Sequence, residues 1–178
     1  MSTCKKPAII IIIFSLLFTT SASQGDTGLK EVYTIQLADT RGNKAWLPYI
    51  GESPVIIVYE DFRNAGNTRE LYLKSLEKPE FHKKINLVYI SNTAPAWYIP
   101  DPLIDIYFRR RESQYKNINF MIDSSRSLQR KWRIADTDGK TVIILVSRDA
   151  RIIEITYKVP EKNEFDKFID SARELLDF

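Results

Sequence analysis

Residues 54–59, Pro-Val-Ile-Ile-Val-Tyr, form an unbroken apolar run that decides the fold class. A short run of β-branched residues bounded by turns is typical of a strand buried on both faces of a sheet. A second such run, Ile-Asn-Leu-Val-Tyr-Ile, occupies residues 85–90. Between the runs, Asn67 and Glu70 have the spacing of a helix capping box. Strand, helix and strand in this order predict that the two runs pair in parallel.

Further elements are predicted on both sides of this pair. Towards the N-terminus we expect strands over residues 29–37 and 45–49, separated by turn residues. Towards the C-terminus we expect a helix over 103–111, a strand over 119–122 and then a short helix. These are followed by a hairpin of strands over 141–147 and 151–158. The last predicted element is an amphipathic helix, whose apolar face carries Phe165, Phe168, Ile169, Ala172 and Leu176. The pattern predicts a mixed α/β sheet with helices on both faces, in a single domain over residues 24–178.

Residues 1–23 have the three parts of a secretory signal peptide. Lys5 and Lys6 precede an apolar run over residues 8–18, and Ser21-Ala22-Ser23 has the small side chains of a cleavage site. The apolar run is short for a membrane helix, which needs about 20 residues. We therefore expect export to the periplasm or the extracellular space and no stable membrane span after cleavage. An uncleaved N-terminal anchor is the alternative.

The charge balance argues against a nucleic-acid partner. The chain has 26 Lys and Arg against 23 Asp and Glu. Two of the basic residues lie in the predicted signal, which leaves 24 against 23 in the remainder. A nearly neutral domain lacks the basic surplus that nucleic-acid binding requires.

Three short motifs resemble the redoxin branch of the thioredoxin-like superfamily. They are Asp39-Thr40-Arg41-Gly42-Asn43-Lys44, Gly51-Glu52-Ser53-Pro54-Val55 and Phe120-Met121-Ile122-Asp123. Their order, together with the order of the predicted elements, extends the resemblance over about residues 30–177. The resemblance implies a thioredoxin-like fold with its reactive cysteines directly after the central strand.

The chain departs from this family at the reactive positions. Residues 64–67 are Asn64-Ala65-Gly66-Asn67, with asparagine where the resemblance implies the two cysteines. Lys140-Thr141 stands where it implies a proline, and the only cysteine is Cys4. A thiolate is the nucleophile of thiol–disulfide exchange, and no other side chain replaces it. We therefore expect neither thiol oxidoreductase nor peroxidase activity.

Two segments are candidates for binding. The first is Arg63, Asn64, Ala65, Gly66 and Asn67, at a predicted helix start whose free N–H groups suit an anion or a peptide carboxylate. An ordinary capped helix start is the alternative, and the sequence favours it. The second is the proline-rich segment that carries Trp97 and Tyr98. Aromatic residues of this kind are enriched at recognition surfaces, but they could equally fold back into the core.

Other polar groups offer weaker candidates. Glu60 and Asp61 follow the central strand at the sheet edge where α/β proteins bind ligands, although neighbouring side chains on a strand point apart. We interpret them as loop charges, and the basic run Arg109-Arg110-Arg111 as a solvated helix face. His82 is the only histidine, and Asp136-x-Asp138-Gly139 lacks the glutamate of a calcium loop. We expect no metal and no cofactor.

The sequence favours an exported, non-catalytic protein that binds an unidentified protein or peptide in the cell envelope. One alternative is an enzyme with non-thiol chemistry, using Glu60, Asp61 or His82 at the C-terminal edge of the sheet. Another is a purely structural module that assembles with itself.

Overall fold

The computed structural model describes residues 30–64 and 85–157, together with Asp170, Ala172 and Glu174, which are helical. Eight strands in these ranges form one sheet. The strands are β1 (Lys30–Glu31), β2 (Gln36–Asp39), β3 (Lys44–Trp46), β4 (Val55–Asp61), β5 (Asn86–Asn92), β6 (Ile118–Asp123), β7 (Thr141–Val146) and β8 (Arg151–Thr156). The helices are α1 (Asp101–Gln114) and α2 (Ser127–Lys131), and short 3₁₀ turns cover Phe62–Asn64 and Ala94–Ala96.

The sheet is mixed, with the strand order β1-β8-β7-β4-β5-β6-β2-β3. Strands β4, β5 and β6 run parallel to one another, and the other neighbouring pairs are antiparallel. The central strand β4 lies between β5 and β7, so that Ile57 is paired with both Val88 and Ile144. All seven residues of β4 are buried, which confirms the two-sided burial predicted from the apolar run at 54–59.

Alternation of side chains along the strands builds an apolar core on each face of the sheet. On one face, Ile56 belongs to a cluster that includes Phe108 of α1. On the other face, Ile57 belongs to a cluster that includes Leu128 of α2 and the buried ring of Trp132. The prediction of an α/β sheet with helices on both faces is confirmed.

The first predicted strand, over residues 29–37, is wrong in its bounds. Strand β1 covers only Lys30–Glu31, and β2 begins at Gln36. Val32 and Ile35 between them are buried in the core on the α2 side. The apolar residues of this segment are spaced in this way because they are buried, and not because the whole segment pairs as one strand.

Helix α1 is longer than the range predicted from its apolar spacing. It begins at Asp101 rather than Leu103 and extends to Gln114. Pro102 lies within its first turn, where a missing N–H costs nothing because that group has no partner within the helix. The proline-rich segment therefore runs directly into the start of a helix.

The turn predicted between the first two strands is confirmed in detail. Asp39 accepts hydrogen bonds on Oδ1 from the backbone N–H groups of Arg41 and Asn43, each at 2.8 Å, and Gly42 has φ of 82°. Strands β7 and β8 form the predicted antiparallel hairpin.

Three regions named in the sequence analysis lie outside the described residues. They are the predicted signal over residues 1–23, residues 65–84 with His82, and the predicted final helix apart from residues 170, 172 and 174. In the part of the chain that is described, no helix is long and apolar enough to cross a bilayer.

Candidate functional site

A row of buried polar side chains lies where the three parallel strands end. Asp61 is the last residue of β4, Asn92 of β5 and Asp123 of β6, and the pairing register places them side by side. Each is at most 1% exposed. Parallel strands that end together bring the groups at their carboxyl ends to one edge of the sheet. The row arises from the register in which the three strands pair, and the sequence of a single strand does not reveal that register.

Asp123 is held by donors from two directions. Its Oδ1 accepts the N–H of Ser127 at 2.8 Å, and its Oδ2 accepts the N–H of Leu128 at 2.9 Å. The phenol of Tyr59 donates to Oδ2 at 3.2 Å. Burial, together with the negative charge of Asp123, raises the pKa of Tyr59 far above its usual range, so this phenol remains a donor. Asp123 therefore caps α2 and joins it to the central strand.

Asp61 joins the end of β4 to the loop that precedes β7. Its Oδ2 lies 2.6 Å from Nη2 of Arg63 and accepts the N–H of Gly139 at 2.7 Å. Burial acts to raise the pKa of Asp61, but the hydrogen bonds from Arg63 and Gly139 outweigh it and hold that pKa below the usual value. Asp61 is thus a permanently ionised structural acceptor at neutral pH.

Glu60 faces the opposite side of the sheet. Its Oε1 accepts the hydroxyl of Thr141 at 2.9 Å, and its Oε2 accepts the phenol of Tyr89. The interpretation of Glu60 and Asp61 as loop charges is wrong, since both are buried final residues of β4. The expectation that they point apart is confirmed. Their engaged oxygens do not form an acid–base pair.

The shifted pKa of Asp61 leads to a prediction about pH. The unfolded chain binds a proton near the ordinary value of 3.8, whereas the folded chain does so only at lower pH. The stabilisation from Asp61 is therefore complete above that value and is lost as pH falls through the folded-state pKa. Urea unfolding near pH 7 and near pH 3 is expected to show a smaller loss of stability for Asp61→Asn than for the unmodified protein. Arg63→Gln should reduce the loss in part, and an unchanged pH dependence in both variants would contradict this account.

The first predicted binding segment begins in the turn directly after β4. Asp61 accepts hydrogen bonds from Nε of Arg63 and from the backbone N–H of Arg63, and the Arg63 side chain remains partly exposed. Asn64 is half-buried and ends the turn. Ala65, Gly66 and Asn67, the rest of that segment, lie outside the described residues.

The aromatic segment lies beside this turn. Strand β5 is followed by the turn Ala94–Ala96, which packs against the turn Phe62–Asn64. Trp97 is 85% exposed and Tyr98 is 61% exposed, with their rings edge to face at 6.2 Å. The alternative in which these rings fill the core is therefore wrong. The packing of the two turns places Arg63 and Asn64 at the same corner of the fold as the start of the aromatic segment. Arg63, Asn64, Trp97 and Tyr98 together form one surface, which we call the corner surface.

The structure also places the other candidates from the sequence that lie within the described residues. Asp138 and Gly139 form a turn, and both carboxylate oxygens of Asp138 lie 3.0 Å from Nη2 of Arg126. Arg109 and Arg110 are exposed on α1, whereas the guanidinium of Arg111 lies over the ring of Tyr107. Within residues 30–64 and 85–157, no group of three His, Cys, Asp or Glu side chains could hold a metal ion.

Asn92 is the residue that sequence reasoning missed. Its Oδ1 accepts the N–H of Ala94 at 3.2 Å and so positions the start of the aromatic segment. A signal for the whole row was present, because the three parallel strands end in Tyr-Glu-Asp, Ile-Ser-Asn and Met-Ile-Asp. Polar residues at the ends of otherwise apolar strands would have indicated it.

Solved structures match this arrangement over most of the chain. A peroxiredoxin-like protein from Aquifex aeolicus matches with a TM-score of 0.61, covering 83% of this chain and 86% of its own, at 9% identity. The exposed lipoprotein thioredoxin of Streptococcus pneumoniae matches with a TM-score of 0.57, covering 78% and 99%, at 10% identity. The fold is thioredoxin-like. A candidate protein disulfide isomerase from Bacteroides thetaiotaomicron has the same thioredoxin-like fold, with a TM-score of 0.58 over 84% and 89% of the two chains, at 16% identity.

No protein-family model and no curated protein matches the chain. The thioredoxin-like fold confirms the resemblance in the sequence. The chain's single cysteine, Cys4, cannot supply a catalytic pair. Asn64, where the resemblance implies the first cysteine, ends the turn after the central strand.

Proposed function

We propose that this chain is an exported, non-catalytic thioredoxin-like protein that binds a protein or peptide partner in the cell envelope. The observation that carries the proposal is the corner surface, where Trp97 and Tyr98 are exposed and the turn before them packs against the turn that carries Arg63. Export is supported by the signal pattern over residues 1–23. The absence of a cysteine pair supports a role without thiol chemistry.

Exposed aromatic side chains are the physical reason for proposing a binding role. A solvent-exposed tryptophan gains a large apolar contact area when a partner covers it. Tryptophan, tyrosine and arginine are also the residue types that most often dominate binding energy at protein interfaces. The buried side chains of Asn92 and Asp61 accept hydrogen bonds from the two turns of the corner surface and hold them in place, which lowers the cost of ordering them on binding.

The alternative of an enzyme with non-thiol chemistry receives less support. Glu60 and Asp61 both accept internal hydrogen bonds, so neither offers a free carboxylate at the sheet edge. His82 lies outside the described residues.

Removal of the aromatic rings tests the proposal. With the protein immobilised and exposed to an envelope extract of its host, Trp97→Ala/Tyr98→Ala is expected to reduce capture of a specific partner by about tenfold or more. Trp46→Ala/Tyr33→Ala is a matched control, since it removes one exposed tryptophan and one exposed tyrosine elsewhere on the surface. Equal capture by both double variants, or no partner at all, would contradict the proposal.

A further inference from the structure

The outward face of α1 carries two exposed apolar side chains that follow Trp97 and Tyr98 in the chain. Ile104 and Phe108 point into the core, and the opposite face carries Leu103 at 58% and Ile106 at 63% exposure. Residues three apart on a helix are neighbours, so these two side chains lie side by side on the helix surface. The aromatic pair lies just before the first turn of this helix.

Two arginines follow on the same outward face. Helical geometry places Arg110 seven residues beyond Leu103, two turns along the axis, and Arg109 next to it. Both side chains are exposed. Neither forms an ion pair with a carboxylate in the described part of the chain. The helix therefore presents two exposed apolar side chains and then two exposed arginines.

We propose that a short segment of a partner protein binds along this face, with apolar side chains over its first half and carboxylates over its second. The inference rests on the proposed function and names the chemistry of the partner. The surface, which we call the helix surface, consists of Trp97, Tyr98, Leu103, Ile106, Arg109 and Arg110. The distance along the axis from Leu103 to Arg110 is about 10 Å, which sets the spacing between the apolar anchor and the carboxylates of the partner.

Charge complementarity favours an acidic segment over an anionic membrane. Electrostatic binding to lipid headgroups uses clusters of about four to eight basic residues, and the helix surface has two. The same helix also carries Asp101, Asp105 and Glu112, which a uniformly anionic surface would repel. The domain as a whole is nearly neutral. A partner with carboxylates placed only opposite Arg109 and Arg110 avoids these repulsions.

The inference can be tested by selecting binders from a phage-displayed library of random peptides. Each peptide has about 15 residues, which is roughly four helical turns. Peptides that bind the purified protein are expected to combine Trp, Phe or Leu with Asp or Glu. Arg109→Glu/Arg110→Glu should weaken their binding by about tenfold or more, whereas Arg41→Glu/Arg148→Glu reverses two exposed charges elsewhere and should have little effect. Peptides whose acidic residues are replaced by lysine should bind Arg109→Glu/Arg110→Glu better than the unmodified protein.

Three results would overturn the inference. One is selection of peptides without acidic residues, and another is equal binding by both charge-reversed variants. The third is binding of the protein to vesicles in place of acidic peptides. The protein would then sediment with vesicles of equal parts phosphatidylglycerol and phosphatidylethanolamine, this sedimentation would depend on Arg109 and Arg110, and no acidic peptide would bind. If these results appear while Trp97→Ala/Tyr98→Ala still reduces partner capture, the proposed function stands and only the chemistry of the partner is wrong.

Discussion

Replacement of Trp132 by alanine is expected to lower the free energy of unfolding by about 4 kcal/mol. The side chain is 1% exposed and lies in the apolar core on the α2 side of the sheet. Its indole Nε1 donates a hydrogen bond to the carbonyl oxygen of Tyr33 at 2.9 Å, which holds the segment between β1 and β2 against the core. The substitution removes both the buried ring and this bond.

The matched control for this prediction is Trp97→Ala. Because Trp97 is mostly exposed, its removal should change the free energy of unfolding by no more than about 0.5 kcal/mol. Urea denaturation followed by far-UV circular dichroism measures both variants without depending on tryptophan fluorescence. Equal losses at the two positions would show that Trp97 is a core residue and would remove the physical basis of the corner surface.

The second large effect is expected at Asp123. Asp123→Ala should lower the free energy of unfolding by about 3 kcal/mol, because it leaves the N–H of Leu128 and the phenol of Tyr59 without their acceptor inside the protein. Asp123→Asn should cost less, since it keeps one acceptor oxygen. Asp149→Ala, at an exposed position in the β7–β8 turn, should cost no more than about 0.5 kcal/mol.

A double-mutant cycle identifies the mechanism at Asp123. If the phenol of Tyr59 is one of the groups left unsatisfied, Tyr59→Phe and Asp123→Ala together should cost less than the sum of the single changes. Strict additivity would mean that the two side chains act independently. In that case the effect at Asp123 would reside in the cap of α2 alone.

The fold was largely predictable because its signals are local. The apolar run at 54–59 predicts a buried strand whatever surrounds it, and the turn at Asp39 and Gly42 depends on hydrogen bonds and backbone angles within a few residues. The bounds of β1, β2 and α1 were less predictable. Alternation reports which side chains are buried, and it does not report whether a neighbouring strand is present to pair with them.

The candidate site was predictable only in part. The sequence indicated Trp97 and Tyr98 as aromatic residues in a proline-rich segment, but inward and outward orientations satisfy the same pattern. Glu60 and Asp61 were misinterpreted because charged residues are rarely fully buried unless they are paired. Their partners Thr141 and Gly139 come from a distant part of the chain, so the pairing that permits their burial is not visible locally.

The sequence by itself determined that the chain has a single cysteine, at position 4, and that its strands and helices follow a thioredoxin-like order. Composition and hydrophobic period are properties of the chain, and folding does not alter them. Only the tertiary structure decided that Asp61, Asn92 and Asp123 form one buried row and that Trp97 remains in solvent. Register and burial depend on which distant segments meet, and that is settled by the packing of the whole domain.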